Sequence, residues 1–433
     1  MRGRRLGGVL GKGRSRFIVA VLTVAGGASL AACGLSGASA PAGHPGTTAP
    51  PGSSPAPASA VGTGRAMPTL QSYLGPLRFP GSMSLPFPPT GESAVYIPGL
   101  GVVGASPDQR PRPIASETKV MTALIVLRDH PLSGSDGGPV FTMTMKDKIA
   151  WLNAAENDDS NVMVEPGERI DERQLLEALL VPSADNAADY LARWDAGSIA
   201  SFVAKMNAEA AALGLARTRY VDPSGVSPGN VSTAVEQAVL AGVAMANPTL
   251  RWIVDHASLS LPVAGRVWNY NPAIGTDGIV GVKSGFIQAS QACLVTAAWR
   301  SVGSRRILVI SSTLDQPLGL GEAALVDEAL LEAASAKLVS RTLLVDGQVV
   351  GRAVARWDGR TSALRVSGLV TAVGWPGLVL QARITPRRPG TATALAAGSP
   401  IGLLRLVSLG GTVTAADLVL DRALPAAPSG WPP

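Results

Sequence analysis

Ser116 and Lys119 stand three residues apart at the head of an apolar run, Val120, Ala123, Leu124 and Leu127. That spacing constrains the fold. Residues three apart share a helix face, so hydroxyl and amine meet only if the segment is helical and its apolar stripe lies against a core. A serine hydroxyl is a poor nucleophile at neutral pH unless a neighbouring group takes its proton. A lysine amine that is desolvated, or placed beside a second cation, gives up its own proton more readily and can serve as that base. Taken alone, Ser-x-x-Lys is better read as a helix-capping serine followed by a solvated lysine.

Two later segments change that reading. One is Val181-Pro182-Ser183-Ala184-Asp185-Asn186, and the other is Gly281-Val282-Lys283-Ser284-Gly285-Phe286. The order S-x-x-K, S-x-[N/D], K-[S/T]-G is that of the penicillin-recognising serine enzymes. Together with Leu213-Gly214-Leu215, Asp222-Pro223-Ser224-Gly225 and Asn230-Val231-Ser232-Thr233-Ala234, it makes residues 90–335 resemble the D-alanyl-D-alanine carboxypeptidase family of S11 serine peptidases.

The resemblance implies an α/β fold of the penicillin-binding-protein/β-lactamase-like kind: an antiparallel sheet flanked by helices, followed by a small β-rich C-terminal domain. It implies that Ser116 attacks the carbonyl between two D-alanines and that Lys119 takes its proton. Ser183 then sits between the two lysines and passes a proton to the leaving amine. Lys283 supplies positive potential, Ser284 hydrogen-bonds the substrate's terminal carboxylate, and Asp185, Gly285 and Phe286 complete the implied substrate-binding set. The backbone N–H groups of Ser116 and Phe286 form the oxyanion hole. The implied partners are a peptidoglycan stem peptide ending in D-Ala-D-Ala, and β-lactams as covalent inhibitors. No cofactor or metal is implied.

Two positions depart from the commonest pattern of the family. Asp185 replaces asparagine, and an ionised carboxylate beside Lys119 favours the ammonium form and blunts it as a base. Ser284 replaces threonine and keeps the hydroxyl. The reading from a different class is therefore a non-catalytic lipoprotein that binds penicillin or peptidoglycan. A class A β-lactamase needs a deacylating glutamate between the second and third motifs, and residues 215–230 contain none. A Ser-His-Asp hydrolase and a zinc site both fail on the three scattered histidines, His44, His130 and His256.

Outside the motifs, residues 1–33 read as a lipoprotein signal segment. Six basic residues precede an apolar stretch too short for a comfortable membrane span, which ends in Leu30-Ala31-Ala32-Cys33-Gly34 with Cys33 as the lipidation site. A lipid on Cys33 leaves Cys293 as a lone core thiol and anchors the chain to the membrane at an extracytoplasmic location. The net charge of +6 is accounted for by those six basic residues, which argues against nucleic acid as a partner. Residues 34–65, rich in Ala, Gly, Pro and Ser, cannot bury enough apolar surface to fold and read as a disordered tether. Residues 66–339 are expected to form the catalytic domain, with a strand pair across Glu92–Val103. Residues 340–433 carry ten arginines against four aspartates and short β-rich runs between turns, as expected of an all-β domain.

Overall fold

A computed structural model describes residues 67–387, 395–428 and 431. The expected signal segment, the tether and Cys33 lie outside the described residues. No described helix is long and apolar enough to cross a membrane.

The site is built on a five-stranded antiparallel sheet ordered Ile279–Ile287, Gln291–Val302, Arg305–Gln316, Glu92–Ile97 and Gly101–Ala105. Three strands come from late in the chain and two from the early hairpin, joined by the register Ile310↔Tyr96 and Ser312↔Ala94. Both faces are covered, so the central strands are apolar on both sides. Leu308, Ile310 and Leu314 face one core, while Val309 faces the other. Residues Ala292–Ala298 are all buried, Cys293 among them, which is why this strand reads as an unbroken apolar run rather than an alternating one.

On the first face lie seven helices: α1 (Thr118–Asp129), α2 (Met145–Glu156), α3 (Glu172–Leu180), α4 (Asp185–Ala196), α5 (Ile199–Ala212), α6 (Ala234–Ala244) and α7 (Pro248–Val254). Helix α1 runs through the centre of this layer. Val120, Met121, Ala123, Ile125, Val126 and Leu127 are all buried, the signature of a helix surrounded by protein. Each larger apolar side chain buried this way contributes about 1.5–3 kcal/mol. Helix α3 starts at a capping box between Asp171 and Gln174, and α4 stops at Gly197 in the left-handed region.

The second face carries α8 (Leu320–Ser335) and the β-rich region. There a seven-stranded sheet runs in the order Thr69–Ser72, Val349–Val354, Thr361–Val366, Gly411–Leu420, Pro400–Ser408, Val379–Pro386 and Leu77–Arg78. Its two outer strands come from residues expected at the start of the catalytic domain. The chain therefore supplies both edges of the C-terminal sheet before it enters the first. Phe79 follows those edges into a core shared by Val350, Leu404, Leu418 and, on α8, Leu330 and Leu331.

Candidate active site

Ser116 does not lie in α1. It sits in a single 3₁₀ turn, Ala115–Glu117, that leads into the helix, and Lys119 is the second helical residue. Two glycines make this turn possible. A Cβ on Gly225 would fall 1.9 Å from the Ala115 carbonyl oxygen, and one on Gly285 would fall 3.0 Å from the Ser116 nitrogen. The Lys-Ser-Gly strand thus needs glycine because its backbone presses directly on the Ser116 turn. Ala115 itself adopts a φ of +46°, a left-handed conformation costly for alanine and sustained only because the surrounding backbone fixes it.

The Lys119 side chain is fully buried, and its amine has three acceptors. It donates to Ser116 Oγ at 2.8 Å, to Asp185 Oδ1 at 2.6 Å and to the Ser224 carbonyl at 2.6 Å. Three donors with three acceptors is the satisfied state of an ammonium group. Asp185, 12 % exposed, is the first residue of α4, and its backbone N–H donates to the Ser160 carbonyl at 2.7 Å. Burial pushes its carboxyl above the usual range, opposed by the charge and hydrogen bond of Lys119.

Lys283 is buried on the edge strand of the sheet, and its amine donates to the Ser284 carbonyl at 2.9 Å. Burial, and then the charge of Lys119, bring it down to about 7, with Asp185 and Glu117 acting in the opposite direction. Ser284 is buried beside it, and the Phe286 ring is 56 % exposed beyond it. Ser183 is buried at a φ of +64°, but its Oγ has no hydrogen-bond partner, so neither lysine holds it.

The sequence assigns no role in the site to three contributors, Asp222, Ser224 and Glu117. The Asp222 carboxylate accepts from the N–H groups of Ser224, Gly225 and Ser227 at 2.8, 2.6 and 3.0 Å, and from Asn230 Nδ2 at 2.7 Å. That turn aims the Ser224 carbonyl at Lys119; Asp-Pro-Ser-Gly is its signal in the sequence. The third is Glu117, fully buried directly after Ser116, with neither carboxylate oxygen hydrogen-bonded. Burial and then Asp327 hold its carboxyl well above the ordinary value, against the pull of Lys283. Because the folded state favours the protonated acid, Glu117 costs stability once pH rises above the unfolded value of 4.5. Glu117→Gln is therefore expected to raise the Tm, with a gain larger at pH 8 than at pH 4.5; scanning calorimetry at the two pH values checks it.

The comparisons agree with this geometry. Residues 101–316 match the D-alanyl-D-alanine carboxypeptidase family, S11. The chain is 32 % identical over 237 residues to a D-alanyl-D-alanine carboxypeptidase of Mycobacterium tuberculosis, covering 53 % of this chain and 76 % of that protein. It is 30 % identical over 221 residues to a D-alanyl-D-alanine carboxypeptidase of a Streptomyces strain, covering 47 % and 73 %. In fold it is similar to penicillin binding protein 5 of Haemophilus influenzae, with a TM-score of 0.57 at 19 % identity, over 78 % of this chain and 98 % of that one. With its serine, two lysines and close-packed glycines in one site, the chain belongs to the S11 family of D-alanyl-D-alanine carboxypeptidases.

Proposed function

We propose that this chain is a serine-type carboxypeptidase that removes the terminal D-alanine from peptidoglycan stem peptides. The observation that carries it is the 2.8 Å contact between Lys119 Nζ and Ser116 Oγ. Ser116 Oγ attacks the carbonyl of the penultimate D-alanine, its proton passes to Lys119, and the C–N bond breaks to leave an ester on Ser116. The terminal D-alanine departs with a proton on its amine, and water then hydrolyses the ester. β-Lactams acylate the same oxygen.

Lys119 must be neutral to accept a proton, and Asp185 opposes that. The ion pair becomes a neutral pair when the Lys119 proton moves to the Asp185 carboxylate, which its burial makes a better acceptor. That transfer is the reactive state's cost. Asp185→Asn removes it, so kcat/KM at pH 7 is expected to rise by about tenfold, read as the rate of D-alanine release. Lys283 in its cationic form attracts the substrate's carboxylate. The edge strand that carries it offers unpaired backbone groups to an extended peptide.

A second reading, a binder of penicillin or peptidoglycan without turnover, is favoured by the three oxygen atoms that surround the Lys119 amine. Release of D-alanine from diacetyl-Lys-D-Ala-D-Ala by the full chain separates the two. Catalytic release supports the peptidase, whereas penicillin labelling without release supports the binder.

The site of action follows from the N-terminus. Cys33 carries lipid and holds the enzyme on the extracytoplasmic side of the membrane. Cys33→Ala is expected to move the protein from the membrane fraction to the soluble fraction; unchanged fractionation contradicts the anchor.

A further inference from the structure

A cavity of about 300 Å³ opens between α2, α3 and α4. Its walls are apolar: Met143, Val162, Val164, Leu175, Tyr190 and Trp194. Ser116, Lys119, Ser183 and Lys283 do not line it, so it is not the peptide site. Helix α2 covers it without filling it. No residue of α2 is buried, and Met145, Ile149 and Leu152 remain exposed. Ala150 on α2 and Ala187 on α4, both small, leave the space between the helices.

The charged groups at the cavity are Lys146, Asp147 and Arg193. Asp147 is occupied as a cap, accepting from Thr144 N at 2.8 Å and Thr144 Oγ1 at 2.6 Å. Arg193 is paired with Asp189 at 3.0 Å. Lys146 has no ion pair or side-chain hydrogen bond among the described residues. One uncommitted cation beside apolar walls suits a ligand with an apolar body and a single negative charge.

The cavity also touches the catalytic pair through α4. Asn186 lines the cavity, and its side chain accepts from Val162 N at 3.1 Å and donates to Val162 O at 2.9 Å. The preceding residue, Asp185, holds Lys119. One turn of helix therefore forms both the cavity wall and the carboxylate of the active site.

We propose that this cavity binds a small organic anion with an apolar body, and that its occupancy alters the reactivity of Ser116 through α4. The coupling rests on the carboxypeptidase reading; the binding does not. The test is calorimetric titration of the full chain with 4-phenylbutyrate and with the uncharged 4-phenylbutanol. The acid is expected to bind at one saturable site and more tightly than the alcohol. Ala150→Phe, a change on the exposed α2, fills the cavity and is expected to weaken binding by about tenfold or more. Lys146→Gln is expected to weaken the acid by about tenfold and leave the alcohol unchanged.

At saturation, acylation by a fluorescent penicillin is expected to change in rate by about fivefold in the wild type and not in Ala150→Phe. Absence of saturable binding overturns the proposal. So does binding that survives Ala150→Phe, or equal affinity for acid and alcohol. Binding with an unchanged acylation rate overturns the coupling. Failure of the carboxypeptidase reading appears separately, as absence of D-alanine release with the titration intact.

Discussion

Lys119→Met is expected to lower kcat/KM by about 10⁴-fold, the upper range for loss of a positioned general base. Methionine nearly matches the length of the lysine stem, so the change removes the amine and little packing. It also strands the Asp185 carboxylate, which keeps its burial and loses its 2.6 Å partner. Removing one partner of a buried ion pair costs about 3–5 kcal/mol, so the single variant is expected to be clearly less stable. The double variant Lys119→Met/Asp185→Asn removes both charges and separates the two effects. Its Tm is expected to recover most of the loss, while its turnover stays as low as that of the single variant. Recovery of activity with stability would mean that Lys119 acts only as a structural cation. Denaturation curves and D-alanine release on the wild type, Lys119→Met, Asp185→Asn and the double variant decide it.

Gly285→Ala is expected to lower kcat/KM by about 100-fold by displacing Ser116. An added Cβ meets the Ile114 carbonyl oxygen at 2.9 Å, Ala115 Cβ at 3.0 Å and the Ser116 nitrogen at 3.0 Å. Two of these are backbone atoms that cannot swing aside, so the strand or the nucleophile turn must move. Either movement displaces Ser116 from the Lys283 strand, and a misplacement of about 1 Å is enough for a loss of this size. Gly321→Ala is the control. It lies in α8 with nothing within 4 Å of an added Cβ, and is expected to leave activity unchanged. Steady-state rates with circular dichroism at matched concentration check both.

The architecture was legible where burial left a pattern. Leu175, Leu176 and Leu179 mark α3, and Ala292–Ala298 marks a covered strand. Helix α2 was not expected because it buries no residue and so carries no stripe. The strands Thr69–Ser72 and Leu77–Arg78 were not expected either. They are four and two residues long, too short for a period, and their partners Val349–Val354 and Val379–Pro386 lie at the other end of the chain. Their membership of the C-terminal sheet is a property of pairing, which local composition does not encode.

The site follows the same logic. Side-chain chemistry at fixed spacing pointed to Ser116, Lys119 and Lys283, and the concern over Asp185 became a 2.6 Å ion pair. The third acceptor of Lys119 is a backbone carbonyl, at Ser224, and a carbonyl has no residue type to read. Glu117 was hidden for a different reason. A glutamate in a helix-leading turn is ordinarily solvated, and only the packing around Ser116 shows that this one is enclosed.

The central claim is that Ser116 Oγ is the atom acylated. Mass spectrometry of the penicillin-treated full chain, beside its Ser116→Ala variant, tests this most directly. A single adduct is expected on the peptide that contains Ser116, and none on the folded variant. An adduct that persists in Ser116→Ala, or one that maps to another residue, would contradict it.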